Sequence, residues 1–172
     1  MLVRPRRASD AGACLAMARQ SRMADGYPPR GPIDLATFLS PPQQLAAWVA
    51  DADGAVVGHV SLHRTGAAVT VAAAARYLGV APGDVAVVAR LMVGPGARRS
   101  GAGRRLLDTA AAEARRRGLH PVLDVATELE AAVALYERAG WERAGEVTIR
   151  LKTEPDLDCY VYVAPRSDPH QF

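Results

Sequence analysis

The stretch Val93-Gly94-Pro95-Gly96-Ala97-Arg98-Arg99-Ser100-Gly101-Ala102-Gly103 joins two unlike segments. Before it runs Val85–Val93, apolar on both faces, which fits a central strand covered on both sides. After it, residues 104–117 repeat Leu106, Leu107, Ala110, Ala111 and Ala114 at helical spacing. A buried strand that feeds a small-residue turn and then a helix makes an anion site. The first helical N–H groups lack intrahelical partners, and the helix dipole adds partial positive charge there. Gly101 and Gly103 let the backbone approach a bulky phosphate, and Arg98, Arg99, Arg104 and Arg105 surround the spot with fixed charge.

Three phosphate-binding patterns compete. A Walker loop needs Gly-Lys-Ser/Thr at its end, and Arg104-Arg105 follow Gly103 here, so that reading fails. A dinucleotide fingerprint fits Gly101 and Gly103 but meets Leu106 at its third glycine; Asp124, about twenty residues on, keeps it as a runner-up. The third pattern is Arg/Gln-x-x-Gly-x-Gly/Ala after a strand ending Val-x-Pro, and the whole stretch fits it. A second motif follows, Ala131-Ala132-Val133-Ala134-Leu135-Tyr136-Glu137-Arg138-Ala139-Gly140-Trp141, with a strand-like segment 121–126 between the two. Together they resemble the acyl-CoA pyrophosphate loop and the second signature of the GNAT family of N-acetyltransferases. The resemblance is close from Val85 to about Trp141.

That resemblance implies an α+β fold: a mixed, mostly antiparallel central sheet of about seven strands, helices on both faces, and central parallel strands that splay apart. It also implies acetyl-CoA as donor, a primary amine as acceptor and direct transfer in a ternary complex, with a small molecule favoured over a protein as acceptor. A non-catalytic acyl-CoA-binding or sensor module is the alternative.

Composition sets outer bounds. The 172 residues suit one domain, and 49% hydrophobic with 23% charged residues describes a globular chain. No apolar stretch approaches the ~18 residues a membrane span needs, and Met1-Leu2-Val3-Arg4-Pro5 lacks an apolar signal core, so a cytoplasmic protein without membrane contact is expected. The net charge is +3, yet the basic residues show no interleaved stacking aromatics, and no nucleic-acid partner is expected. Arg115, Arg116 and Arg117 are read as complementing a helix C-terminus. Cys14 and Cys159 are read as free, packed thiols, and no His/Cys spacing suggests a metal. The sequence leaves a homodimer open.

Along the chain, Ser9 or Asp10 can cap a helix to about Arg22, and Asp34 a brief one to Leu39. Segments 45–50 and 55–64 flank Asp53-Gly54 as a hairpin. Residues 67–78 read as a helix despite the poor Val69-Thr70-Val71 start. Residues 129–139 read as a helix, 147–151 and 157–163 as a last hairpin, and 164–172 as a loose tail after a single domain 1–163.

Two proton problems follow from amine acetylation. An ammonium with pKa near ~10 must lose a proton, and a thiolate whose thiol has pKa near ~8.5 leaves faster when protonated. The resemblance makes Tyr136 the thiol-protonating acid; packing against the pantetheine arm or the sheet is the other reading. Amide-rich pantetheine can pair with main-chain groups of Leu91, Met92 and Val93, with the Met92 N–H preferred as oxyanion donor. Arg98, Arg99, Ser100, Gly101, Ala102, Gly103 and Arg104 would hold the diphosphate. No carboxylate lies in Val85–Val93. Strand alternation puts His59, Ser61 and His63 on one face, making His59 a candidate base beside proton loss through water. Arg90 and Asp124 are expected to pair. Leu129 stands where relatives often carry asparagine, so any cofactor contact made there must come from elsewhere. Tyr27, Pro28, Pro29 and Arg30 are expected to rim the acceptor site, with Tyr160 on the opposite wall.

Overall fold

The computed structural model describes residues 1–27, 34–152 and 155–167. Strand β1 (Leu2–Pro5) lies antiparallel to β2 (Gln44–Ala52), and helices α1 (Ala11–Asp25) and α2 (Leu35–Leu39) come between them in sequence. Asp10 takes the N-cap position of α1, but its carboxylate turns away from the helix. It accepts from Arg4 at 2.8 Å and from the Arg7 N–H at 2.7 Å. Arg4 also reaches Asp51 at 3.0 Å, so one guanidinium ties β1 and β2 to the start of α1. Asp34 caps α2 as expected, accepting from the Ala36 N–H at 3.0 Å and the Thr37 hydroxyl at 2.7 Å.

Strands β2 and β3 (Ala55–His63) form the expected hairpin. Asp53 and Gly54 have φ of 53° and 87°, the primed-turn geometry whose twist matches that of the flanking strands. Helix α3 (Ala68–Leu78) forms despite its β-branched start. Val71 and Ala74 pack onto Val85, Val87, Val122 and Val161, which outweighs a propensity cost of roughly half a kcal/mol per residue.

Strand β4 (Val85–Val93), α4 (Ala102–Arg116) and β5 (His120–Ala126) make a parallel crossover unit, followed by α5 (Glu130–Arg138), β6 (Glu142–Ile149) and β7 (Leu157–Val163). The sheet has seven strands in the order β1-β2-β3-β4-β5-β7-β6, and only β4–β5 pair in parallel. This is the mixed, mostly antiparallel sheet expected. The last hairpin differs from expectation: β6 starts at Glu142 rather than Val147 and leaves Leu151 outside. It is an edge strand with a register shift between Arg143 and Gly145, so its polar residues carry no readable alternation.

Alternation sends Trp48, Ala50, Val60, Leu62, Ala86, Val88, Leu123 and Val125 onto α4 and α5. Val49 and Met92 face the other way, onto Cys14, Met17 and Phe38 of α1 and α2, while Val85 and Val87 meet α3. Helices therefore cover both faces. Each fully buried leucine or valine contributes about 1.5–3 kcal/mol. Both cysteines are free and buried. Among the described residues no helix is long and apolar enough to cross a membrane, and no group of three or more His, Cys, Asp or Glu could hold a metal.

Two expectations at the C-terminal side change. Arg116 and Arg117 pair with Glu113 at 2.6 and 2.8 Å instead of serving only the helix end. The first tail residues are held: the Ala164 N–H bonds the Pro121 carbonyl at 3.0 Å, and Arg115 bonds that of Pro165 at 2.7 Å. Residues 168–172 lie outside the described part.

Candidate active site

Strands β4 and β5 pair only at Val85–His120, Ala86–Pro121 and Val87–Val122. Beyond that point β4 stays with β3 as far as Val93, and β5 stays with β7 as far as Ala126, so a wedge opens between them. The cause lies in β4. Ser61 faces Ala89 and His59 faces Met92, so β4 carries one extra residue there. Arg90 takes φ 57° at this bulge, and a bulge bends its strand and increases the local twist.

Antiparallel pairs alternate between hydrogen-bonded and non-bonded. The Gly94 N–H bonds the Val57 carbonyl at 2.9 Å. Gly58–Val93 is therefore a non-bonded pair and His59–Met92 a bonded one. The Met92 main chain is committed to β3, and its side chain is buried on the α1–α2 face. This corrects the expectation for the oxyanion donor. By the same alternation the Val93 main chain is directed into the wedge, and Leu91, in the bulge, has no register partner on β3.

At the end of β4 the small-residue loop enters α4. Arg99 and Gly101 have φ of 62° and 84°, a tight turn that leaves Gly101 as the N-cap. The Ser100 hydroxyl donates to the Ala97 carbonyl at 2.6 Å and accepts from the Ala102 N–H at 3.3 Å. The N–H groups of Arg99, Ser100, Gly101, Gly103 and Arg104 have no protein acceptor among the described residues. Gly103 packs closely, since a Cβ there would sit 3.3 Å from Leu135 Cδ2 and 3.6 Å from Val93 Cγ2. The arginines are partly occupied: Arg98 pairs with Asp25, Arg104 with Asp108 at 3.0 Å, and Arg105 bonds the Met1 carbonyl at 2.8 Å. Arg99 has no such partner among the described residues.

Tyr136 projects from α5 into the core between sheet and helices, with its ring 6.0 Å from Tyr162 and 6.3 Å from Trp141. Its hydroxyl makes no hydrogen bond among the described residues. Burial pushes its phenol above the ordinary range, and the neighbouring Tyr27 and Asp124 add to the effect.

Residues 15–141 match the acetyltransferase (GNAT) family. The chain belongs to the GNAT family. Solved structures agree in fold. An N-acetyltransferase from Staphylococcus aureus Mu50 is 20% identical, with 94% of this chain and 96% of that one covered and a TM-score of 0.69. The ribosomal-protein-S18-alanine N-acetyltransferase from Escherichia coli is 20% identical, with 99% and 98% covered and a TM-score of 0.65. The structure of yncA from Salmonella typhimurium with its cofactor acetyl-CoA is 20% identical, with 99% and 96% covered and a TM-score of 0.67. No curated protein matches the chain.

Within this GNAT domain His59 is fully buried. Its Nε2 lies 2.9 Å from Arg6 Nη1 and its Nδ1 lies 2.9 Å from the Arg90 carbonyl. Burial, together with the charges of Arg6, His63 and Arg90, pushes its pKa down to about 4. Both nitrogens are engaged, so His59 has no lone pair to offer an acceptor amine. His63 is also buried and bonds the Ser61 hydroxyl at 2.9 Å.

Arg90 and Asp124 do not pair. The Arg90 guanidinium stacks on the Phe38 ring, 3.8 Å from its centroid, and its Nε donates to the Phe38 carbonyl at 3.2 Å. Asp124 accepts from the Thr70 hydroxyl at 2.6 Å. The bulge turns Arg90 toward α2, whereas β5 alternation turns Asp124 toward α3. Asp124 thus points away from α4 and is not set to hold a ribose near the loop, as a dinucleotide reading requires.

Tyr27 meets Phe38 edge-on at 6.1 Å on the α1–α2 face. Tyr160 packs on the α4–α5 face beneath the Arg143 guanidinium, 3.7 Å from its ring centroid. The two tyrosines therefore do not wall one cleft. Pro28, Pro29 and Arg30 lie outside the described residues. Leu129 takes the N-cap of α5 without a side-chain bond. Sequence reasoning missed Phe38 and Thr70. Only the inward-facing hydroxyl of Thr70 in an otherwise apolar helix face gave a signal.

Proposed function

We propose that this chain is an acyl-CoA-dependent N-acetyltransferase that moves an acetyl group directly from acetyl-CoA to a primary amine of a small molecule. The wedge between β4 and β5 carries the proposal. It ends at a helix N-terminus whose main-chain donors are unfilled, and it has an unbonded tyrosine hydroxyl in the core beside it. The residues fit the cosubstrate. N–H groups from residues 99–104, the α4 dipole and Arg99 suit a diphosphate, while Leu91 and Val93 offer an open strand edge to an amide-rich arm. The acetyl-CoA in the related Salmonella structure supports the same ligand here.

In this reading a main-chain N–H of Leu91 or Val93 polarises the thioester carbonyl. Tyr136 protonates the departing sulfur; its raised pKa keeps the phenol protonated at neutral pH. His59 takes no proton.

Calorimetry with CoA and acetyl-CoA, joined to thiol release across an amine panel, tests the reading. Binding of both and turnover of an amine support it. Tight binding with no turnover would make the chain a sensor module, and absence of heat on folded protein would end the acyl-CoA assignment.

A further inference from the structure

The sheet face covered by α1, α2 and α3 holds two opposite charges near the wedge that do not neutralise one another. Asp124, on β5, uses one carboxylate oxygen to accept from Thr70. Its other oxygen, Oδ1, has no hydrogen bond among the described residues. Arg90, on β4, is anchored by its Nε and by the Phe38 ring, and its terminal nitrogens make no hydrogen bond among the described residues. Neither has a partner of opposite charge within salt-bridge distance among the described residues. Burial raises the pKa of Asp124, and the Thr70 hydrogen bond and then the Arg90 charge act against that rise.

Stability alone does not explain this arrangement. A half-buried charge left without a counter-charge is costly. Here Thr70 holds one back and Phe38 holds the other, and Arg90 is a non-glycine residue kept at φ 57°. Two opposite charges, held apart with open hydrogen-bonding capacity, complement a ligand that carries the same two charges in reverse. Val87 and Val122 are the last β4–β5 pair, so Arg90, three residues on, and Asp124, two residues on, both stand where the wedge opens.

We propose that Arg90 and Asp124 form the acceptor subsite, and that the acceptor is an amino acid or close analogue, with an ammonium and a carboxylate a few bonds apart. This rests on the acetyltransferase reading above. The planar Arg90 fork takes the carboxylate, and Asp124 Oδ1 takes an ammonium hydrogen. Phe38, with Tyr27 edge-on to it, gives the subsite an aromatic wall beside Arg90. The ammonium passes one proton through Asp124 to solvent. The freed lone pair forms the C–N bond at the thioester carbonyl, and the C–S bond breaks. Tyr136 gives its proton to the sulfur, and the second proton lost by the nitrogen restores the phenol. The balance is one amide, one thiol and one released proton.

The test compares kcat/KM for a panel of amino acids with kcat/KM for the same amines lacking the carboxylate, alongside calorimetry with acetyl-CoA. Wild type should favour amino acids. In Arg90→Gln that preference should fall by about tenfold to a hundredfold, chiefly through KM, and Arg90→Lys should restore part of it. Acetyl-CoA affinity and the melting curve should stay close to wild type. Asp124→Asn should depress turnover of every amine and flatten the acidic limb of the pH profile. Equal use of both members of each pair by wild type would overturn the proposal, as would a preference that survives Arg90→Gln. Acetyl-CoA binding without consumption of any amino acid would also overturn it and leave the cosubstrate reading intact. Loss of acetyl-CoA binding itself would instead sink the underlying reading.

Discussion

Arg6 Nη1 lies 2.9 Å from His59 Nε2, and this contact fixes the state of the imidazole. A guanidinium can only donate, so Nε2 is the unprotonated acceptor and Nδ1 carries the hydrogen toward the Arg90 carbonyl at 2.9 Å. His63 takes the opposite tautomer. Ser61 donates to the Ala89 carbonyl at 3.1 Å, so its oxygen accepts from His63 Nε2–H at 2.9 Å. Both rings are held neutral, with burial as the leading cause and pKa values pushed down to about 4.

Acid should therefore destabilise the fold well above the usual carboxylate range. The unfolded chain binds protons on these rings near pH 6.5, whereas the folded chain resists until about pH 4. The stability they confer is complete above pH 6.5 and is lost as the pH falls toward 4. By pH 5 the loss is of the order of 1–2 kcal/mol per histidine. Thermal melts between pH 7.5 and 5 check this, and His63→Gln should show a shallower slope. A Tm that does not move over that interval would refute it.

Tyr136→Phe should lower kcat by roughly a hundredfold or more and leave acetyl-CoA affinity unchanged. Because the phenol is pushed above its ordinary value, wild-type activity should show no basic limb from this residue below pH 10. Full activity in the variant would reduce Tyr136 to a packing role against Tyr162 and Trp141.

Gly101→Val should weaken CoA binding about tenfold or more. A β-branched residue at φ 84° carries roughly 1–2 kcal/mol of strain, and relief of that strain moves the unfilled N–H groups beside it. Titration calorimetry measures the change. Unaltered affinity would mean that the phosphates bind elsewhere.

Gly58→Ala should destabilise the fold by about 1–3 kcal/mol. The added Cβ would lie 2.8 Å from Leu106 Cδ1, and 3.3 Å from both Ala50 Cβ and the Met92 carbonyl oxygen. Leu106 is fully buried, so it has nowhere to retreat. Denaturant melts give the value, and a neutral result would show that α4 shifts more freely than its packing implies.

Much of the architecture was legible because it rests on local chemistry. Asp53-Gly54 supports a primed turn whatever surrounds it, and Asp34 caps α2 through its nearest neighbours. The run Val85–Val93 and the stripe through Leu106 and Ala110 announced a covered strand and its helix. Edge strand β6 stayed hidden because a polar edge obeys no strict alternation and its register shifts at Gly145. Tyr27 and Tyr160 were expected to flank one site, but Tyr27 follows α1 on one face of the sheet and β7 alternation turns Tyr160 onto the other.

The anion loop follows from residues 98–104, because turn geometry and unfilled helix-end donors are local. The sequence also determined the family, through two motifs whose spacing survives without coordinates. Which groups near the wedge remain open depends on contacts between segments far apart in the chain. His59 loses its lone pair to Arg6, a residue far from it in sequence, and Met92 loses its main chain to β3. Arg90 and Asp124 are kept apart by Phe38 and Thr70. Availability of a polar group is set by what packs against it, and that packing is a property of distant segments brought together by the sheet.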